Sequence, residues 1–187
     1  MRWPNPDNPP TAHTALLADS RPPQARPPQS RPPTGLLALR SFVTEPPKAV
    51  APFTPTWLVV DAEADVAAAC RAARTAAERL DFSRAAAYEI ATATSELASN
   101  LLLHAGGGRL RLATALAPST TGARLGLEVC ALDQGPGITD LAAALREGHS
   151  TAGGLGCGLS GARRLMDGFR IASRPGRGTC VRVIKWR

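Results

Sequence analysis

Glu96, Asn100 and His104 follow one another at four-residue steps in "SELASNLLLHA", residues 95–105, a spacing that sets all three on one face of a helix. A carboxylate one turn before a carboxamide can hold a hydrated magnesium ion, which takes a few oxygen ligands and keeps its waters. The carboxylate could equally act as a general base. An ordinary solvent-facing polar stripe is the other reading of this face.

"GGLGCGLSGARRL", residues 153–165, carries five glycines in its first nine residues. Each costs a helix roughly 1 kcal/mol relative to alanine, so this density means a loop; the amphipathic pattern after it reads as a helix. Amides at a helix N-terminus attract anions, and glycine lets a ligand come close. The stretch is thus a phosphate loop or a flexible turn. Gly156, Gly158 and Gly161 fit G-x-G-x-x-G, but no strand precedes them and no acidic residue follows Asp167, which excludes a dinucleotide site. Lys48 and Lys185 are the only lysines, so neither a Walker loop nor the lysine of a eukaryotic-type protein kinase is available. A phosphate here must be held by backbone amides, a metal ion and arginine.

The third feature is "ALDQGPGITDL", residues 131–141. Asp133 ends an apolar strand and is followed by Gly135, Pro136 and Gly137. An aspartate so placed can accept a hydrogen bond from an exocyclic amine, while the glycines let a flat ring approach the backbone. A strand-ending turn has the same composition.

The elements that must position these residues are legible from Trp57 onward. "TWLVV" reads as a buried strand, residues 61–80 as an alanine-rich helix capped by Asp61, and residues 84–104 as a second helix. "RLRLATAL" and "ARLGLEVCALD" read as strands joined by the turn "APSTTG". A short helix over 140–146, the glycine loop, a helix over 158–166 and a hairpin of "GFRIASR" and "TCVRVIKW" around "PGRG" complete the chain. That order predicts a mixed or antiparallel sheet covered by helices.

Before that point the composition changes. Fourteen of the 17 prolines lie at or before Pro55, including "RPPQARPPQSRPPTG". Residues 1–54 are therefore expected to be a disordered proline-rich extension, either a solvated tail or a proline-motif ligand, ahead of one globular domain over 55–187. The net charge of +7 is almost all arginine. Charges are scattered and aromatics few, which argues against nucleic acid. No apolar run approaches the ~20 residues of a membrane span, and the N-terminus lacks the apolar core of a signal peptide. Cys70, Cys130, Cys157 and Cys180 are spaced too irregularly for a zinc site or a redox pair, so the expectation is a cytoplasmic protein with reduced thiols.

Taken together, Glu96-x-x-x-Asn100, Asp133-Gln-Gly135-Pro-Gly137, the loop 153–158 and "GRGT" ending at Thr179 resemble the sequence boxes of the GHKL ATPase superfamily. Within it, "SELASN", "DQGPGI", "STAGGLGCGLSGARRLMDGF" and "IKW" are most similar to the small serine kinases of the bacterial anti-sigma and partner-switching group, the RsbT-type stressosome switch kinases above all. The resemblance spans roughly residues 55–187. It implies an α/β fold of the Bergerat type, a two-layer α+β sandwich with helices on one face of a mixed sheet.

It also implies ATP and Mg2+ as cofactors. Asn100 would ligate the metal, and Glu96 would be the base for the acceptor hydroxyl. Asp133 would bind the adenine amine, with Gly135 and Gly137 shaping that pocket and Thr179 supporting it. Gly153, Gly154, Leu155, Gly156, Cys157 and Gly158 would line the phosphates. Cys157 departs from the family's alanine and is either a tolerated small residue or a redox-sensitive one. The implied activity is serine/threonine phosphorylation of STAS-domain proteins, with a PP2C-type phosphatase as second partner. The alternatives are an anti-sigma kinase that holds a sigma factor, and a binding module that uses nucleotide without transferring phosphate.

Overall fold

The computed structural model describes residues 53–120, 122–145 and 158–187. The order is β1 (Thr56–Val60), α1 (Glu63–Arg79), α2 (Arg84–Ala105), β2 (Gly108–Ser119), β3 (Gly122–Leu132), α3 (Leu141–Ala144), α4 (Gly158–Leu165), β4 (Gly168–Arg174) and β5 (Gly178–Trp186). The five strands form one sheet in the order β1-β2-β3-β5-β4.

Alternation on the strands divides the sheet into two faces. Leu110, Leu112, Leu127, Val129, Ala131, Val181, Val183 and Ile171 join Ile90, Leu97 and Leu101 of α2 and the alanines of α1 in a single core. Small residues on α1 (Ala69, Ala73, Ala76 and Ala77) let it lie close against α2 and the sheet. On the opposite face Glu128 sits between Arg111, 3.3 Å away, and Arg182, 3.5 Å away. The layers are therefore helix and sheet, with helices on one side.

Every described strand pairing is antiparallel, which corrects the mixed sheet implied by the resemblance. β3 and β4 each run antiparallel to β5, and hence parallel to each other. Because β5 lies between them, that parallel pair never meets.

Local chemistry differs from expectation at three other points. Asp61 does not cap α1. The N-cap is Ala62, and Asp65 reaches back to accept from the amides of Asp61 (3.0 Å) and Ala62 (2.9 Å). β2 runs on through Pro118 to Ser119, into what reads as a turn. Past Leu112 it has no β1 neighbour, and a strand paired on one side tolerates proline. Phe53, inside the expected extension, packs against the core, and its amide donates to Thr114 Oγ1 (3.1 Å). Its apolar ring and the Arg79 guanidinium 5.9 Å above it give this residue a place in the domain. The rest of the extension, residues 1–52, lies outside the described residues. Among the described residues no helix is long and apolar enough to cross a membrane.

Candidate functional site

α2 carries the first half of the site. Ser83 starts it by accepting from the Ala86 amide at 3.2 Å, and Gly106 ends it in the left-handed region, φ 69°. Its apolar residues face the core, which leaves Glu96 and Asn100 half-buried at the edge of that face and His104 exposed. The first two are thus less open to solvent than an ordinary surface stripe. Glu96 accepts no hydrogen bond from any described residue. The Asn100 carboxamide is more telling, because its Nδ2 is buried and has no hydrogen-bond partner among the described residues. Burying an amide without a partner costs roughly 1–3 kcal/mol. Among the described residues nothing takes up this donor.

Asp133, just past the end of β3, carries the second half. Its amide donates to the Thr179 carbonyl (3.0 Å), while its Oδ1 accepts from the amides of Thr179 (3.1 Å) and Gly135 (2.9 Å). One carboxylate oxygen is thereby immobilised, and Oδ2 remains to accept from a ligand. Burial raises the pKa of this carboxyl above its ordinary value; the two amide donors and the nearby His104 charge oppose that shift without cancelling it.

The glycines of this loop have a packing role. A Cβ on Gly135 would meet Ala105 at 2.6 Å, and one on Gly137 would strike the Arg174 carbonyl. Their bareness serves the seating of the loop against the end of α2 and the β4–β5 hairpin. Gly178 completes the arrangement: at φ 87° it brings its backbone against the carbonyl of Asp133. The Gly176 amide donates to the Pro136 carbonyl at 2.7 Å. "GRGT" is therefore a hairpin turn docked backbone to backbone on the Asp133 loop.

Ser173 escaped the sequence reading altogether. Its buried hydroxyl accepts from the Ile138 amide (2.7 Å), donates to the Gly178 carbonyl (3.2 Å) and lies 2.9 Å from Thr179 Oγ1. With the serine proton directed to Gly178, the Thr179 hydroxyl donates to Ser173, which fixes the threonine at the pocket wall. A serine within "IASR" carries no local signal of this role.

The two halves meet where Gly135 abuts Ala105. At 1.5 Å per residue, Asn100 lies about 7.5 Å and Glu96 about 13.5 Å back along α2 from that contact. The Asp133 loop, Asn100 and Glu96 thus follow one another along the length of α2. Gly158 opens α4, which packs against α2, and a Cβ there would meet nothing within 4 Å. Gly153, Gly154, Leu155, Gly156 and Cys157 lie outside the described residues.

Residues 59–185 match the family of the histidine kinase-like ATPase domain. The chain belongs to that family. Among curated relatives of this ATPase domain, the chain is 42% identical over 124 residues to the serine/threonine-protein kinase RsbT of Bacillus subtilis (strain 168), which covers 66% of this chain and 90% of that protein. It is 31% identical over 101 residues to the anti-sigma F factors of Thermoanaerobacter sp. (strain X514) and Thermoanaerobacter pseudethanolicus (strain ATCC 33223 / 39E), covering 52% of this chain and 68% of each of theirs.

Proposed function

We propose that the chain is an ATP-dependent serine/threonine protein kinase of a bacterial partner-switching module, acting on STAS-domain proteins and binding a PP2C-type phosphatase in alternation. Its enzyme class follows from the ATPase family and from the Bacillus relative, named as a serine/threonine-protein kinase. The observation that carries the site reading is the half-buried pair Glu96 and Asn100 one turn apart on α2, with the Asn100 Nδ2 unpartnered among the described residues.

In this reading Asp133 Oδ2 accepts from the exocyclic amine of adenine, while Thr179 and Ser173 keep the carboxylate and the pocket wall in place. The Asn100 carboxamide oxygen, a hard donor, suits Mg2+, which when bound would neutralise phosphate charge. Amides of the glycine loop and the start of α4 receive the phosphates. Glu96, with no hydrogen-bond partner among the described residues, would take the proton from an acceptor hydroxyl. Partner exchange needs only that phosphorylated and unphosphorylated substrate differ in affinity for the kinase.

The deciding experiment combines magnesium-dependent binding of adenine nucleotide with transfer of labelled γ-phosphate to a purified STAS-domain partner. Glu96→Gln is expected to keep binding and to lose transfer by about 10²- to 10⁴-fold. Binding without transfer by the wild type would leave a nucleotide-dependent binding module. The anti-sigma F factor relatives favour one second reading, a kinase that also holds a sigma factor. Co-purification with a sigma factor in place of STAS proteins would establish it.

A further inference from the structure

Cys130 and Cys180 lie 50 residues apart in the sequence, yet their sulfurs are 3.7 Å apart. Their irregular spacing in the sequence, read as unfit for a zinc site or a redox pair, gave no sign of this contact. Cys130 is opposite Arg182 and Leu132 is opposite Cys180, so the two thiols are diagonal neighbours on β3 and β5, on the sheet face away from the helices. Both are buried, and Leu132 completes their small apolar cluster. Cys70, by contrast, stands on α1 with no sulfur beside it among the described residues.

We propose that Cys130 and Cys180 are an oxidisable dithiol, a modification site for peroxide, whose state sets the affinity of the adjoining pocket for nucleotide. The second half of this statement rests on the nucleotide reading of the Asp133 pocket.

The chemistry is that of two thiols and one hydrogen peroxide. Cys180 is the more reactive partner: the Cys130 thiol donates to it and holds its pKa below the ordinary value against burial, and Arg182 acts in the same direction. Cys130 is pushed up by the same contact and by its burial. The Cys180 thiolate attacks one peroxide oxygen; the S–O bond forms, the O–O bond breaks, and the other oxygen leaves as water after taking a proton. The Cys130 sulfur, losing its proton as it reacts, then attacks the Cys180 sulfur. The S–S bond forms, the S–O bond breaks and a second water departs. The two sulfurs together lose two electrons, and the peroxide gains them.

A disulfide holds its sulfurs about 2.05 Å apart, so the 3.7 Å contact must close through rotation of the two side chains and approach of β3 and β5 on this diagonal. That movement cannot stay local. Cys180 is bonded to Thr179, whose amide and carbonyl both pair with Asp133, and Cys130 lies three residues before Asp133 on β3. The strands that change spacing are the two that hold the pocket together, and the pocket geometry described above belongs to the reduced form.

The test uses the full chain, fully reduced and then exposed to hydrogen peroxide, with intact mass, non-reducing peptide mapping and magnesium-ATP affinity measured on both forms. The expected result is a loss of about 2 Da, a Cys130–Cys180 peptide, and nucleotide affinity reduced about 5- to 150-fold, the usual range for coupled sites, with recovery on adding a dithiol reductant. Cys130→Ala and Cys180→Ala should each abolish the mass loss; if either fails to fold, mapping of the wild type still decides. Oxygen gained on either sulfur, a bond to Cys70 or Cys157, or thiols that stay free would overturn the dithiol. Equal affinities in the two forms would overturn the coupling. A disulfide in a chain that binds no nucleotide even when reduced would leave the dithiol standing, and would overturn both the coupling and the nucleotide reading.

Discussion

Asp133 and Thr179 grip each other twice: the Asp133 amide donates to the Thr179 carbonyl at 3.0 Å, and the Thr179 amide donates to Asp133 Oδ1 at 3.1 Å. This reciprocal pair fastens the exit of β3 to the start of β5. The orientation of the Asp133 carboxylate is therefore a property of the sheet.

Asp133→Asn tests both the ligand contact and the cost of the buried charge. Loss of a hydrogen bond to a charged group should weaken adenine nucleotide binding by roughly 1.5–3 kcal/mol, about 10- to 150-fold. The folded-state pKa is raised, so the folded chain holds the proton at pH values where the unfolded chain has released it. The contribution of Asp133 to stability is thus fully present below its ordinary pKa of 3.8, and is lost as pH rises through the raised value. Denaturant unfolding across that window should show this fall in the wild type and its absence in the variant.

Asn100→Ala removes a buried amide donor that has no partner among the described residues. Stability without ligand should hold or rise by up to about 1 kcal/mol, while magnesium-dependent nucleotide binding should be lost. Urea unfolding and calorimetric titration check the two halves. A destabilisation of several kcal/mol would mean the amide serves the fold.

Gly178→Ala and Gly176→Ala form a matched pair. Both positions have positive φ, 87° and 69°, so both carry the left-handed cost of about 1–2 kcal/mol. A Cβ at Gly176 meets nothing within 4 Å, whereas one at Gly178 strikes the Asp133 carbonyl. Gly176→Ala should lower stability by that cost alone and keep nucleotide affinity. Gly178→Ala should cost more and lose affinity as well, because the hairpin must lift off the Asp133 loop.

Lys185, one of two lysines in the chain, has a structural task. Its ammonium donates to Glu89 Oε2 (2.6 Å) and to the Leu165 carbonyl (2.8 Å), and lies 3.6 Å from Asp167. It ties α2, the end of α4 and β5 together. Lys185→Met should destabilise by about 1–2 kcal/mol, since the acidic partners are part-exposed and water compensates in part. Nucleotide affinity per folded molecule should not change.

Much of this was written locally. The alanine run of α1, the Ser83 cap, the long apolar pattern of α2 and the "PGRG" turn each act within a few residues of chain, so their elements fall close to where the pattern puts them. The i, i+4 step from Glu96 to Asn100 is likewise a property of any helix. Asp61 misled because Ala62 and Asp65 share the capping, and a side chain three residues on can supply what the cap residue lacks.

The sequence by itself determined the candidate residues, their order and the helical step that sets Glu96 and Asn100 on one face. Only the tertiary structure decided that Gly135 and Gly137 seat a loop, that Ser173 fastens Thr179, and that Cys130 touches Cys180. Helices and turns are set by neighbours along the chain. Contacts across a sheet depend on strand order and register, and here β5 enters between β3 and β4, a choice made by the burial of the whole core.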